Sequence, residues 1–205
     1  MTRFIIVRHG ESKANEKGLF VGHTDCALSK RGLLQVEKTA DYIVSKWEID
    51  KIYSSDLRRA YNTALPVSKR CGIEIIPDKR LREIFGGDWE GVVYADLFEK
   101  FPEDRTLWKT DVANSRCTNG ESVREVAKRI NDALVEIGEE NFGKTVLIAT
   151  HATPIGCMLG LWKFHDIEKM KDIRWVSNAS VTVAEYENGS FTVTSVDENS
   201  HLQNI

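Results

Sequence analysis

Apolar residues recur along the chain with two different periods. Phe4–Val7 and Thr145–Thr150 are short, near-continuous apolar runs, the second of the kind buried on both faces of a sheet. Ile49–Tyr53 and Ile73–Ile76 are shorter runs that also read as strands, the latter ended by Pro77. Between them the period changes. Leu33, Val36, Ala40, Ile43, Val44 and Trp47 recur at intervals of three and four, one face of a helix that Ser29 can cap and that runs to about Lys46. A second helix is predicted from Leu57 to Cys71, stopped by Gly72. Tyr94–Phe101 reads as a short helix ended by Pro102. Gly120-Glu121-Ser122 opens another, to about Ile137. Pro154 suits the first turn of a helix that starts directly after His151. Val181–Tyr186 and Phe191–Val196 flank Glu187-Asn188-Gly189-Ser190, the pattern of a β-hairpin. Glu11–Leu28 and Leu81–Gly91 have no clear period and read as loops.

Strands alternating with helices imply an α/β fold. A mostly parallel central sheet lies between two helical layers, a three-layer α/β/α sandwich, with the final hairpin as an antiparallel edge. No linker, repeat or low-complexity stretch interrupts residues 1–205, so one domain is expected. The bulk numbers narrow the function classes. At 41% hydrophobic and 29% charged the composition is that of a globular domain, and a net charge of -3 gives no basic face for nucleic acid. No run is long enough to span a bilayer, and Met1–Val7 does not resemble a signal peptide, so a cytoplasmic protein is expected. Cys26, Cys71, Cys117 and Cys157 are scattered without metal-ligand spacing and read as free packing thiols.

The candidate chemistry lies at strand ends. Arg8 and His9 follow the first strand, Ser54, Ser55 and Arg58 the second, and His151 the fourth. In a parallel sheet these ends share one edge, where open α/β folds bind ligands. Two guanidinium groups and two imidazoles at one point make an anion site, and adjacent helix N-termini reinforce it. Asn15 can add a neutral amide donor. Arginine forks fit phosphoryl oxygens, and a neutral imidazole can attack phosphorus. A carboxylic acid would then protonate the departing alkoxide. Glu83 is the candidate, with Glu11, Asp25 and Glu90 as competitors.

Six motifs occur in order: Arg8-His9-Gly10-Glu11-Ser12 with Asn15; Gly22 to Gly32; Ser54-Ser55-Asp56-Leu57-Arg58-Arg59-Ala60 with Thr63-Ala64; Leu81-Arg82-Glu83 with Gly86-Gly87 and Trp89-Glu90-Gly91; Gly120-Glu121-Ser122 leading to Arg129; and His151 after an apolar strand. In this series the chain resembles the histidine phosphatase superfamily, which includes the cofactor-dependent phosphoglycerate mutases. The resemblance implies a phosphoglycerate mutase-like fold and His9 as the phosphorylated nucleophile. It implies Arg8, Arg58, His151 and Asn15 around the phosphoryl group, and Glu83 as proton donor and then base. It implies no metal and no organic cofactor.

The sequence departs from the mutases. Ala14 stands where they usually carry Trp. Ile84-Phe85-Gly86-Gly87-Asp88-Trp89 replaces their longer signature after the acid, and the stretch between Phe101 and Gly120 is short. A phosphatase acting on a small phosphorylated metabolite is therefore expected. A phosphoglycerate mutase, an α-ribazole-phosphate phosphatase and a non-catalytic phosphate-binding module are the alternatives. Ala152-Thr153-Pro154 after His151 is a further departure, in the pocket wall. Contacts to the leaving group are expected from Val21–Asp25 and Trp89–Val112, with Val21, Gly22 and Ala152 as the named candidates. Trp89, Trp108, Trp162 and Trp175 read as core or pocket wall.

Overall fold

The computed structural model describes residues 1–203 and 205. Strands β1 (Thr2–Arg8), β2 (Lys51–Ser54), β3 (Ile75–Pro77), β4 (Thr145–Thr150), β5 (Val181–Glu187) and β6 (Ser190–Glu198) form one sheet in the order β3-β2-β4-β1-β5-β6. The β3-β2, β2-β4 and β4-β1 pairs are parallel, and β1-β5 and β5-β6 antiparallel. The expected mixed sheet with an antiparallel edge is thus what forms. Asn188 and Gly189 both adopt positive φ in the turn between β5 and β6, the geometry that a two-residue hairpin requires.

Alternation along the strands explains the layers. Phe4 and Ile6, with Val146 and Ile148, point to a core shared with α6 (Val123–Glu140) and α7 (Ala152–Met158). Ile5 and Val7, with Leu147 and Ala149, point the other way, to α2 (Lys30–Lys46) and α3 (Arg58–Cys71). Both faces are covered, which is why β1 and β4 carry the unbroken apolar runs Phe4–Val7 and Val146–Ala149. Register then fixes the functional edge: Arg8 pairs with Thr150 and Ser54 with Ala149, so β1, β4 and β2 end side by side.

Two elements differ from expectation. The packed stripe of α2 is Gly32, Gln35, Val36, Thr39, Ala40 and Ile43, while Leu33 and Val44 are exposed. The first half of α2 packs on the loop after β1, not on the sheet. The Glu11 N–H donates to Gln35 Oε1 (2.8 Å), and a Cβ on Gly32 would lie 2.0 Å from the Glu11 carbonyl oxygen. The second difference is Pro102. It ends α4 (Leu97–Lys100) but also opens α5 (Pro102–Thr110) at the N-terminal position where its missing N–H costs nothing. That helix carries Trp108. Among the described residues no helix is long and apolar enough to cross a membrane.

Candidate active site

His9 follows directly on β1 and is almost wholly buried. Its backbone is held between strands: the His9 N–H donates to Thr150 O (2.9 Å), and its carbonyl accepts from Asn178 Nδ2 (3.0 Å) and the Ala179 N–H (3.2 Å). The ring Nδ1 lies 2.8 Å from the Gly10 carbonyl. A carbonyl only accepts, so Nδ1 carries the proton and Nε2 keeps its lone pair. Gly10 permits this turn, since a Cβ there would lie 2.7 Å from Val36 Cγ1. Burial first, and the Arg59 and Arg8 charges next, push the His9 imidazolium well below its ordinary pKa. The ring is therefore neutral at physiological pH.

The His151 ring lies edge-on to His9, centroids 5.1 Å apart. It is fully buried behind His9, and its Nε2 lies 2.8 Å from Ser55 Oγ. Its Nδ1 is buried with no partner. Burial, then Arg59 and then His9 hold this imidazole neutral as well.

The arginine assignment changes. Arg58 is not brought to the pocket. Its Nε donates to Asp25 Oδ2 at 2.7 Å, and its side chain is 62% exposed. Arg59 is 0% exposed, donates to the Gly22 and Thr24 carbonyls (2.7 and 3.1 Å), and acts electrostatically on both imidazoles. Successive helical residues point about 100° apart, so only one can face inward. The signal was present in the chain: the stripe Ala60, Thr63, Ala64 and Val67 that buries α3 includes position 59 and leaves out 58. Arg8 donates from Nη1 to the Val176 carbonyl, and its Nε is buried and unpartnered, as is that of Arg59.

Asn15 sits in α1 (Lys13–Glu16), which Ser12 caps. The Asn15 Oδ1 accepts from the Ser12 N–H (3.0 Å) and hydroxyl (2.9 Å), so the amide oxygen is turned into the cap. The remaining donor, Nδ2, is left for the cavity that Asn15 lines.

Of the four candidate carboxylates only Glu83 lines that cavity. Its Oε1 accepts from the Ile84 and Thr153 N–H groups (2.9 and 3.2 Å), and its Oε2 from Ala152 (3.1 Å). The first turn of α7 thus aims the carboxyl. The backbone beneath is clamped by Arg129, which donates to the carbonyls of Arg80, Arg82 and Glu83, each at 2.8 Å. Glu11 instead accepts from the Ser29 hydroxyl (2.6 Å), Asp25 holds Arg58, and Glu90 accepts from the His23, Thr24 and Gly86 N–H groups.

Arg8, His9, Asn15 and Glu83 form the polar floor of a cavity of about 340 Å³. Ala152 and Val21 line it, as does Thr153. Gly22 does not. It is needed where the chain passes Ile84, because a Cβ there would lie 2.0 Å from that carbonyl oxygen. Most of the remaining wall is apolar: Leu19, Phe20, Tyr94, Trp108 and Trp175. Of these Tyr94 and Trp108 fall in the stretch expected to meet the leaving group. Trp175 was legible only as a wall or core residue, and nothing in the sequence tied the segment before β5 to the pocket.

Residues 4–199 match the histidine phosphatase superfamily, branch 1. The chain is 32% identical to phosphoserine phosphatase 1 of Hydrogenobacter thermophilus, over 98% of this chain and 95% of that one. Among solved structures, Bacillus stearothermophilus YhfR superposes with a TM-score of 0.93 at 28% identity, covering 99% of this chain and 100% of the other. The Entamoeba histolytica phosphoserine phosphatase, in complex with 3-phosphoglyceric acid, superposes with a TM-score of 0.84 at 26% identity, covering 98% and 100%. By sequence and by fold, this chain belongs to branch 1 of the histidine phosphatase superfamily.

Proposed function

We propose that the protein hydrolyses small phosphomonoesters through a phosphohistidine formed at His9 Nε2. The observation that carries this reading is a cluster of unmet donors. Arg8 Nε, Arg59 Nε and His151 Nδ1 are buried without partners, and all three residues surround His9. Buried polar atoms are nearly always satisfied, so three together point to an anion as their partner. Ser55 Oγ already accepts from the Leu57 N–H, which leaves its hydroxyl proton for His151 Nε2; His151 Nδ1 then carries the ring proton and donates as well. A phosphoryl group supplies the acceptor oxygens, and fixed donors around them stabilise the charge that spreads in transfer.

The Nε2 lone pair of His9 forms a bond to phosphorus as the bond to the ester oxygen breaks. The Glu83 carboxyl gives its proton to the leaving oxygen. The resulting carboxylate then takes a proton from water, whose oxygen attacks phosphorus. The P–N bond breaks, inorganic phosphate leaves, and neutral His9 is restored. The amides of Ala152 and Thr153 hold Glu83 in place through both steps. The kinship with phosphoserine phosphatases supports water, not a second substrate oxygen, as acceptor.

Quenching in alkaline detergent and histidine mapping after turnover of a ³²P-labelled monoester test this. Acid-labile, alkali-stable label is expected on His9 and none in His9→Ala. Turnover with no label on His9 in rapid-quench time courses would overturn the proposal.

A further inference from the structure

The wall of the cavity carries information about the alcohol that the floor does not. Phe20 stacks on Tyr94 (centroids 6.3 Å, 11° between planes) and meets Trp108 edge-on (6.2 Å, 82°). Trp108 lies parallel to Trp175 (6.2 Å, 2°). Beneath them Trp89 is fully buried, packs against both Phe20 and Trp108, and donates from Nε1 to Thr118 Oγ1 (3.0 Å). The four wall rings are thus held by a fixed fifth.

No wall residue is cationic. Among the described residues Arg8 is the only lining residue with a permanent positive charge, and it lies on the floor beside His9. Two cations of neighbouring segments are turned to other partners, and Lys109 and Arg174, beside Trp108 and Trp175 in sequence, are exposed and do not line the cavity. Arg105 lies over the Tyr94 ring, 4.7 Å from its centroid, and does not line the cavity. Arg58 is bound to Asp25. A leaving group that carries a carboxylate would enter an aromatic pocket with no counter-charge, an uncompensated desolvation. A carboxylate would also approach Glu83. An apolar ring would replace water on four aromatic surfaces at no such cost.

Resting on the phosphatase reading above, we infer that the site selects phosphomonoesters of uncharged alcohols bearing an apolar ring, in preference to phosphorylated amino acids and hydroxy acids. Trp175, 40% exposed and stacked on Trp108, is the specificity-determining residue. Its ring lines the cavity through its stacking on Trp108.

The test compares alcohols that leave equally poorly, so that ring chemistry and not leaving-group acidity is read. kcat/KM is measured for 2-phenylethyl phosphate, O-phospho-L-serine, 3-phosphoglycerate and phosphocholine. The expected preference for 2-phenylethyl phosphate is about thirtyfold or more. Trp175→Ala should lower its value about tenfold while changing that of phosphoserine less than about twofold. Titration calorimetry of the same ligands into His9→Ala reads selectivity without turnover, so it decides the inference even if no ester is hydrolysed and the phosphatase reading falls. Three results would each overturn the inference: phosphoserine or 3-phosphoglycerate preferred, with the preference lost in Arg105→Ala; phosphocholine preferred, which would make the rings a cation site; or equal losses for all esters in Trp175→Ala.

Discussion

The floor and the wall of the cavity are built by different rules. The floor is polar, deeply buried and attached to the ends of paired strands. His9 follows β1, His151 follows β4, and the Glu83 carbonyl is locked by Arg129. The side chains of Arg8, His9, Asn15 and Glu83 each bond to at least one backbone group. The wall comes from Leu19 and Phe20, from the short turn at Tyr94, from α5 and from the segment before β5, and its side chains meet through ring contacts. Strand ends cannot move without breaking the sheet, whereas short helices on loops can exchange residues freely. Chemistry is thus placed on the part of the fold that geometry fixes, and selectivity on the part that sequence can vary.

The comparison breaks most visibly if a floor residue behaves like a wall residue. Glu83→Gln keeps the shape and removes the proton. It should lower kcat on alkyl phosphates about a thousandfold and on p-nitrophenyl phosphate far less, because nitrophenolate leaves without protonation. Equal losses on both esters in steady-state assays would remove Glu83 from the acid role. Arg59→Met should come next, lowering kcat/KM by about a hundredfold or more through loss of a fixed donor near the phosphoryl group. Arg58→Met should cost less than about threefold, since an exposed ion pair with Asp25 contributes little. The reverse order would restore the assignment made from sequence.

That pair of neighbours shows what was legible and what was not. Strand-end residues were readable because apolar runs terminate visibly: Arg8, His9 and His151 needed no coordinates. Asn15 and Glu83 followed from motif order, and both line the cavity. Arg59 against Arg58 depended on helical phase, and the run of two arginines hid it until the buried stripe of α3 was known. Gly22 looked like a contact because it lies in the motif loop, yet its role is close passage of backbone past Ile84. Helix α5 was hidden by the double meaning of proline, which ends one helix and begins the next. Trp175 was out of reach for a deeper reason. It joins the cavity only through tertiary stacking on Trp108, and no local period encodes such a contact.

A smaller effect sharpens the boundary between aiming and reacting. Arg129 bonds backbone carbonyls, that of Glu83 included, and Glu121, and does not itself line the cavity, so it is a positioning residue. Arg129→Lys keeps one charge but loses the planar fork that spans three carbonyls. The expected loss is about tenfold in kcat on alkyl phosphates, with KM little changed and p-nitrophenyl phosphate less affected. Equal losses on both esters would mean that Arg129 supports the fold generally and does not aim Glu83.

The smallest effect concerns stability, and it too separates floor from wall. Both floor imidazoles are held neutral, with folded pKa values below the ordinary 6.5. Above pH 6.5 the folded and unfolded chains are alike at these sites. Below it the unfolded chain takes up a proton that the folded chain refuses, so stability falls as pH falls, until the folded pKa is reached. Each imidazole contributes a slope of up to about 1.4 kcal/mol per pH unit in that window. His23 and His201, whose pKa values are also lowered, add their own share in every variant and cancel in a comparison. Urea titrations between pH 6.5 and 5.5 should therefore give a shallower loss for His9→Gln than for the parent chain. Trp175→Ala, which removes a ring and no proton site, should run parallel to the parent. If the His9→Gln slope equals the parental one, the floor is not desolvated as its burial requires, and the lone pair assigned to Nε2 would lose its physical basis.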